Sequence, residues 1–438
     1  MPAAVVVGGG IGGLAAAIGL RRIGWQVTVL ERGGAFSEIG AGLALWPNAM
    51  RALAALGLAE RVREIAGVES VGGVRDQSGR WLSRTDNAEV ARRHGWPLLM
   101  VHRAELLREL MAALPGELLR ADSEVLDVRP DGDGVVVEHR GGRVRADLVV
   151  GADGVRSRMR RQGWPEAEAP RYAGCTAWRM VTEPLGGRGA EGALFWGRGE
   201  RIGFAALPGG RFYCFAAARV PEGGAEDPYA EVVRRFGGWP DPVPEMLAAV
   251  PPDAVMRHDV YETPPLASYV RGRVALVGDA AHAMEPTLGQ GAGTALEDAV
   301  TLAACLRAEP DVDAALARYD RVRRPRTQAI ARRSARLGAA GLVAWAPGAW
   351  LRNLAARLVP PGVLLRSMDP VLGWTPPELR EQRGRSAPRP GGQARTDSGE
   401  GGGTGSGGGA RTDSGGRDRA GSGGGAGGSR GRGRRAGA

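Results

Sequence analysis

The chain has 438 residues and a formal net charge of +10, and 43% of its residues are hydrophobic. This length is sufficient for two packed domains. All 58 basic residues are Arg, which excludes chemistry that needs a Lys, such as a Schiff base. The three cysteines are scattered, which excludes a disulfide framework and is typical of the reducing cytoplasm, where we expect the protein to reside. No apolar run has the length of a transmembrane helix, so we expect no membrane span.

Residues 382–438 differ in composition from the rest of the chain. They contain 22 Gly, 11 Arg and four acidic residues, and no Val, Ile, Leu, Met, Phe, Tyr or Trp. Such a segment buries too little apolar surface to offset its conformational entropy, so we predict a disordered Gly/Arg-rich tail. The tail contributes +7 to the net charge, which leaves residues 1–381 at +3. Because the body is nearly neutral and the tail has no aromatic side chain to stack on bases, we expect no specific nucleic-acid partner.

The N-terminal pattern predicts a β-strand, a helix and a second β-strand. Residues 3–7 are a continuous apolar run, residues 14–23 have helical spacing and residues 26–30 are again apolar. The first turn has the spacing Gly8-x-Gly10-x-x-Gly13, and Glu31 follows the second strand. Such a turn lets a pyrophosphate approach the backbone at a helix N-terminus, and the acid accepts hydrogen bonds from ribose hydroxyls. The pattern indicates a bound dinucleotide but does not distinguish NAD from FAD.

The middle of the chain continues this α/β pattern and then changes character. We predict amphipathic helices over residues 47–66, a hairpin over 68–82, a helix over 102–114 and a short buried strand over 148–150. Two further strands flank the turn at residues 131–134. Residues 172–264 alternate apolar and polar side chains, which predicts an antiparallel sheet in a separate domain. After a buried strand at 274–277, helices extend from about Thr294 to about residue 358, with Pro325 and Pro347 predicted as breaks.

Two later segments favour FAD over NAD. Asp153 follows the strand at 148–150, and Asp279 follows the strand at 274–277. Ligands bind at this carboxyl end of the strands in open α/β sheets. The glycines at 289–293 again precede a helix, a second place where backbone N–H groups meet an electron-rich group.

With these motifs the sequence resembles the single-component FAD-dependent aromatic hydroxylases, the flavoprotein monooxygenases of the p-hydroxybenzoate and salicylate hydroxylase type. The resemblance covers residues 3–340 and is greatest to the branch of the urate and 3-hydroxybenzoate hydroxylases. It implies that Glu31 holds the adenosine ribose, that Arg103 lies near the pyrophosphate and that Asp279 binds the ribityl chain. The implied FAD-binding set is Gly8, Gly10, Gly12, Gly13, Glu31, Arg32, Ala44, Arg103, Val125, Asp153, Asp279, Gly291 and Ala292.

The resemblance also implies the reaction. NADH or NADPH reduces the flavin, O2 gives a C4a-hydroperoxide, and a small aromatic or heteroaromatic substrate is hydroxylated. A tailoring oxygenase that hydroxylates or epoxidises a polycyclic natural product has the same FAD signature and stays open as an alternative. This chemistry needs no metal site and no Ser-His-Asp set, and the sequence contains neither pattern. We expect a monomer or a homodimer.

Arg201 and Tyr213 are the predicted substrate residues. They flank the turn at residues 208–211, so paired strands would carry both. An Arg pairs with an anionic group, and a Tyr hydrogen-bonds a hydroxyl group. In the urate hydroxylase branch an Arg and a Tyr at matching positions serve the substrate. The alternative is an Arg at the sheet surface and a Tyr at the edge of the core. Five aromatic residues of the same sheet either line the pocket or, for most of them, pack in the core: Trp178, Phe195, Trp196, Phe204 and Phe215.

The predicted fold class is therefore α/β, with a Rossmann-like FAD-binding domain, an inserted antiparallel-sheet substrate domain, C-terminal helices and the tail. The predicted division has four parts: residues 1–75, 98–171 and 265–340 for the FAD-binding domain, 76–97 and 172–264 for the substrate domain, 341–381 for a C-terminal helical segment and 382–438 for the tail.

Overall fold

The structure is a computed structural model that describes residues 1–36, 41–186, 191–224 and 227–379. The predicted tail at residues 382–438 lies outside these ranges. Within them, no helix is long and apolar enough to cross a lipid bilayer.

The strands of the described ranges belong to four sheets. In chain order they are β1 (Ala3–Val7), β2 (Gln26–Leu30), β3 (Gly42–Leu45), β4 (Gly67–Val68), β5 (Val71–Asp76), β6 (Trp81–Asp86), β7 (Leu99–His102), β8 (Leu119–Arg120), β9 (Val125–Asp131), β10 (Gly134–His139), β11 (Gly142–Ala146), β12 (Leu148–Gly151), β13 (Arg171–Val181), β14 (Ala193–Trp196), β15 (Glu200–Ala206), β16 (Phe212–Ala218), β17 (Met256–Glu262), β18 (Val270–Arg271) and β19 (Val274–Leu276).

The α-helices of the same ranges are mostly short, apart from two long ones after residue 290. They are α1 (Ile11–Arg22), α2 (Pro47–Ala55), α3 (Ala59–Glu64), α4 (Asn87–His94), α5 (Arg103–Ala112), α6 (Arg158–Gly163), α7 (Pro228–Phe236), α8 (Val243–Ala248), α9 (Asp279–His282), α10 (Gly291–Ala308), α11 (Val312–Gly341), α12 (Ala346–Leu358), α13 (Pro361–Ser367) and α14 (Asp369–Leu372).

A six-stranded sheet carries the predicted dinucleotide motif. Its order is β18-β19-β12-β1-β2-β8, and all neighbours are parallel except β18 and β19. β1 and β12 are continuous apolar runs because both of their faces are buried. The predicted strand–helix–strand start is confirmed, although α1 begins at Ile11, three residues before the predicted helix.

A seven-stranded sheet contains strands from two separate parts of the chain, residues 71–86 and 171–262. Its order is β17-β13-β16-β15-β14-β5-β6, and every neighbouring pair is antiparallel except β14 and β5. The predicted antiparallel sheet is thus confirmed. Helices α7 and α8 are not among the predicted elements. Their apolar side chains pack with Trp178 and Phe195 of the sheet.

The hairpin of β5 and β6 belongs entirely to this seven-stranded sheet, because β5 pairs with β14 on one side and with β6 on the other. The predicted domain boundary between residues 75 and 76 divides β5. We therefore propose that the substrate domain begins before Val71.

Helix α10 lies buried between α1 and α11. Small residues allow this close approach: a Cβ atom at Gly19 of α1 would lie 3.1 Å from Ala303 Cβ of α10. On the other side of α10, Arg323 of α11 is fully buried and contacts two carboxylates, with 2.7 Å from Nη1 to Glu297 Oε2 and 2.7 Å from Nε to Asp298 Oδ1. These ion pairs join the two long helices.

Pro325 does not break the helix, so that prediction is wrong. α11 runs through it from Val312 to Gly341. A proline removes one helical hydrogen bond at a cost of about 3 kcal/mol, but residues on both of its sides are anchored to Glu297. Arg323 pairs with that carboxylate, and Arg326 Nε lies 2.7 Å from its Oε2. Pro347 does mark a boundary, because it lies in the first turn of α12, where its missing N–H costs nothing.

Replacing Arg323 with Met should destabilise the protein by about 3–5 kcal/mol, because Glu297 and Asp298 would stay buried without their shared cation. The matched control is Arg324→Met. Arg324 pairs with Asp320 on the same helix and is 32% exposed, so its loss should cost about 0.3–0.5 kcal/mol. Urea unfolding of both variants measures the difference. Equal losses would contradict a dominant role for the buried ion pairs.

Candidate active site

One large cavity, with a volume of about 760 Å³, lies between the carboxyl ends of β1 and β12 and the seven-stranded sheet. Every predicted site residue except Gly13 lines it: Gly8, Gly10, Gly12, Glu31, Arg32, Ala44, Arg103, Val125, Asp153, Arg201, Tyr213, Asp279, Gly291 and Ala292. Residues from widely separated parts of the chain therefore meet at one site, as the motifs predicted.

The glycine turn after β1 has room only for glycine at two positions. Gly8 has a φ of +110°, and a Cβ atom there would lie 2.4 Å from the carbonyl oxygen of Ala152. A Cβ atom at Gly13 would lie 2.0 Å from the carbonyl oxygen of Gly8. Gly13 therefore sits behind the turn and sets its shape, while the first turn of α1 faces the cavity with its free N–H groups.

Glu31 fixes the other side of this turn. Its Oε2 accepts a hydrogen bond of 2.7 Å from the Gly9 N–H, and its Oε1 accepts one of 2.8 Å from the Gly33 N–H. The carboxylate is held at the end of β2 and lines the cavity. Each carboxylate oxygen has a second lone pair, so the group can still accept hydrogen bonds from ribose hydroxyls.

Asp153 forms hydrogen bonds mainly within its own loop. Its carboxylate accepts hydrogen bonds from Ser157 Oγ at 2.5 Å and from the N–H groups of Arg158 at 2.6 Å and Met159 at 3.0 Å. The buried Arg160 then donates from Nη1 to the carbonyl oxygen of Ala280 at 2.7 Å. Asp153 thus shapes the cavity wall, and Arg160 connects this loop to the segment that contains Asp279.

The segment around Asp279 is anchored by Asp298 of α10. Gly278 has a φ of +58°, and its N–H donates to Asp298 Oδ2 at 2.9 Å. The same oxygen lies 2.6 Å from Nε2 of His282. His282 is buried and pairs with Asp298, which is a structural role. Asp279 itself lines the cavity next to the start of α10, where Gly291 and Ala292 lie at the positive end of an 18-residue helix.

Arg103 brings positive charge to the cavity from the start of α5. Burial lowers the pKa of its guanidinium, Arg179 lowers it further, and Asp279 opposes the shift. Ala44 and Val125 complete the wall from β3 and from the start of β9.

Arg201 and Tyr213 lie on the neighbouring strands β15 and β16, as predicted. Arg201 is 4% exposed, and its guanidinium is already engaged within the protein. Its Nη2 forms a buried ion pair with Glu285, and its Nη1 donates to Thr287 Oγ1 at 2.6 Å. The expectation of an anion clamp therefore needs modification, because Glu285 compensates the charge of Arg201. The alternative of an exposed surface Arg does not hold.

Tyr213 stacks on Phe215, with ring centroids 5.6 Å apart. Its ring covers Gly42 of β3, where a Cβ atom would lie 2.1 Å from the Tyr213 ring. Burial raises the pKa of its phenol, so the hydroxyl stays protonated. Of the five aromatic residues predicted for this sheet, Phe204 and Phe215 line the cavity, and Phe204 also belongs to the core with Trp178 and Phe195. Trp196 does not line the cavity, and the Arg352 guanidinium lies over its ring.

Several charged residues of the cavity are absent from the predicted site, among them Glu124, Arg156, Arg158 and Arg161. Two more come from the sheet side: Arg179 lies on β13, and Glu69 lies between β4 and β5. Burial raises the pKa of Glu69 to about 7, and a hydrogen bond from the Ala206 backbone opposes this shift. A single carboxylate outside any motif gives no sequence signal. Within the described residues, no group of three or more His, Cys, Asp or Glu side chains could hold a metal ion.

These features define the class of protein as a dinucleotide-binding one. The glycine turn, where a Cβ atom would clash, and the N-terminus of α1 fit the phosphates of FAD. Glu31 at the end of β2 fits the ribose, and the N-terminus of α10 fits the electron-rich edge of the flavin ring.

Comparison with known proteins identifies the family. A family model described as "FAD binding domain" matches residues 2–334. The chain is 38% identical to aurachin C monooxygenase/isomerase from Stigmatella aurantiaca over 81% of this chain and 94% of that protein. It is 35% identical to the FAD-dependent urate hydroxylase of Klebsiella pneumoniae over 72% of this chain and 84% of that protein. A crystal structure of HpxO from Klebsiella pneumoniae complexed with FAD and uric acid superposes with a TM-score of 0.79 at 31% identity, covering 84% of this chain and 95% of that one.

The chain therefore belongs to the FAD-binding-domain family of flavoprotein monooxygenases, as a member of the single-component FAD-dependent aromatic hydroxylases.

Replacing Gly13 with Ala should remove FAD from the purified protein, since the new methyl group would displace the Gly8 carbonyl and with it the phosphate turn. The control is Gly116→Ala, because a Cβ atom there meets no atom within 4 Å. Flavin absorbance per mole of protein measures retention. A Gly13→Ala variant that purifies with its full flavin content would show that the turn does not hold the cofactor.

Proposed function

We propose that this protein uses NADH or NADPH and O2 to hydroxylate a small aromatic or heteroaromatic substrate. The observation that carries the proposal is the continuity of one cavity from the glycine turn to an aromatic wall on the seven-stranded sheet. FAD, when bound, accepts electrons from the nicotinamide and activates O2. The protein must hold the ring system, exclude water and orient the substrate.

The residues of the first half of the cavity serve the cofactor. Glu31 binds the ribose, and Asp279 binds the ribityl chain. The N–H groups of Gly291 and Ala292 stabilise negative charge on the flavin ring, because they lie at the positive end of α10. Arg103 adds a fixed cation on the same side.

The residues of the sheet serve the substrate. Tyr213 is held by Phe215 and Gly42, so its hydroxyl is fixed in the cavity and orients a hydroxyl or carbonyl group of the ring. The Arg201 guanidinium still has N–H groups that can donate to a ligand, although its positive charge is compensated by Glu285. This favours a substrate that is neutral at that point over one that presents an uncompensated anion there.

A tailoring oxygenase that hydroxylates or epoxidises a polycyclic natural product is the second candidate. The observation that favours it is the 38% identity to an aurachin C monooxygenase/isomerase over nearly the whole length of that protein. Both candidates act on small molecules in the cytoplasm as a monomer or homodimer, and neither needs a nucleic acid or a metal.

The direct test uses purified protein loaded with FAD. A substrate should accelerate NADH or NADPH oxidation and should acquire one atom from isotopically labelled O2. Monocyclic and bicyclic rings are compared with polycyclic ones, and the class that gives coupled oxidation decides between the two candidates. A protein that carries FAD but shows no acceleration and no label transfer with either class would contradict both.

Replacing Tyr213 with Phe should leave the flavin content unchanged and lower kcat/KM for the substrate. The lost hydrogen bond is worth about 0.5–1.5 kcal/mol, which corresponds to roughly a 2- to 13-fold decrease. Tyr172→Phe is the control, since that hydroxyl bonds the carbonyl oxygen of Val220 at 2.6 Å away from the cavity. Unchanged kinetics in the Tyr213→Phe variant would assign this tyrosine to packing alone.

A further inference from the structure

Glu69 is a buried carboxyl group that the cofactor-binding residues leave unused. It lies between β4 and β5, it is 6% exposed, and it lines the cavity. Within the described part of the chain, its Oε1 has no hydrogen-bond partner. A buried carboxyl oxygen without a partner costs free energy in the folded protein, so the group is retained at a cost that a bound donor would remove.

The position of Glu69 is fixed by Asn87 at the start of α4. The Asn87 amide donates from Nδ2 to the carbonyl oxygen of Glu69 at 2.7 Å and to that of Leu98 at 2.9 Å. In return, the Leu98 N–H donates to Asn87 Oδ1 at 2.7 Å. The backbone of Glu69 is thus tied to β7, and its carboxyl group is held in place before any ligand binds.

Gly192 leaves the space that the carboxyl group occupies. A Cβ atom at Gly192 would lie 2.4 Å from Glu69 Oε1, so any other residue would push the carboxyl group aside. Gly192 lines the cavity, and so do Ser83 and Thr85 of β6 and Leu194 of β14.

Among the residues that the structure describes, no ion pair joins Glu69 to a cation. The described influences on its pKa are burial, which raises it to about 7, and a backbone hydrogen bond from Ala206. Arg201, which also lines the cavity, is already paired with Glu285. The ionised form of Glu69 would repel an anionic group of a ligand and would attract an N–H or O–H donor.

We propose that Glu69 accepts a hydrogen bond from an N–H or O–H group on the aromatic substrate, and that the enzyme selects substrates by this donor. The substrate class is then a phenol or an N–H heteroaromatic ring, with no carboxylate at that end. This inference rests on the proposed function, because it assumes that the sheet side of the cavity holds the substrate.

The test measures equilibrium binding to the FAD-loaded protein by the change in flavin absorbance. The probes are matched pairs that differ by one methyl group on the donor: 2-naphthol with 2-methoxynaphthalene, and indole with N-methylindole. The variants are Glu69→Leu, which removes the acceptor, and Glu69→Gln, which keeps a neutral acceptor of the same shape. The control is Glu200→Gln, since Glu200 is a partly buried carboxylate of the same sheet that pairs with Arg235 outside the cavity.

The wild type and the Glu200→Gln variant should bind the donor of each pair about tenfold or more tightly than its methylated partner. This ratio should fall to about one in Glu69→Leu and to an intermediate value in Glu69→Gln. An unchanged ratio in a flavin-loaded Glu69→Leu protein, or a ratio near one in the wild type, would overturn the inference. Binding needs no turnover, so a protein that shows these ratios but no O2-dependent product would contradict the proposed function and leave the role of Glu69 intact.

Discussion

Asp298 holds three parts of the flavin side together through its two buried carboxylate oxygens. Oδ2 accepts from the Gly278 N–H and lies against His282, and Oδ1 accepts from Arg323. Burial raises the pKa of Asp298, but His282 and Arg323 lower it, so the group stays ionised in the interior. The loop that carries Asp279 therefore depends on a buried charge that His282 of α9 and Arg323 of α11 stabilise together.

Helix α11 also contacts the segment that pairs with the seven-stranded sheet. Ser334 of α11 donates from Oγ to the carbonyl oxygen of Glu285 at 2.6 Å and accepts from the Leu288 N–H at 3.2 Å. Gly338, one turn further along, leaves room for the Glu285 carboxylate. Because Glu285 pairs with Arg201 of β15, α11 links the loop that contains Asp279 to the seven-stranded sheet. One long helix thus holds both walls of the cavity in a fixed relative position.

The cavity contains different charged groups at its dinucleotide end and along the seven-stranded sheet. Arg103 and the start of α10 place positive potential where a dinucleotide needs it. On the sheet side, Arg201 is paired with Glu285, Arg179 of β13 adds a further cation, and burial raises the pKa of Glu69 to about 7. The phosphates of a bound dinucleotide would therefore meet positive charge at the end of the cavity that contains Arg103.

The sequence by itself determined the cofactor half of the site. Gly8, Gly13, Glu31 and Asp279 stand at fixed distances from strands and helices, so local spacing is enough to bring them to one sheet edge. Only the tertiary structure decided the substrate half, because its contacts join residues far apart in the chain. The sequence around Arg201 does not predict its partner Glu285, which lies 84 positions later. The sequence around Pro325 likewise does not predict the buried ion pairs with Glu297 that accompany the uninterrupted helix α11. Burial and pairing are properties of the packed chain, and only the packed chain places Glu285 against Arg201.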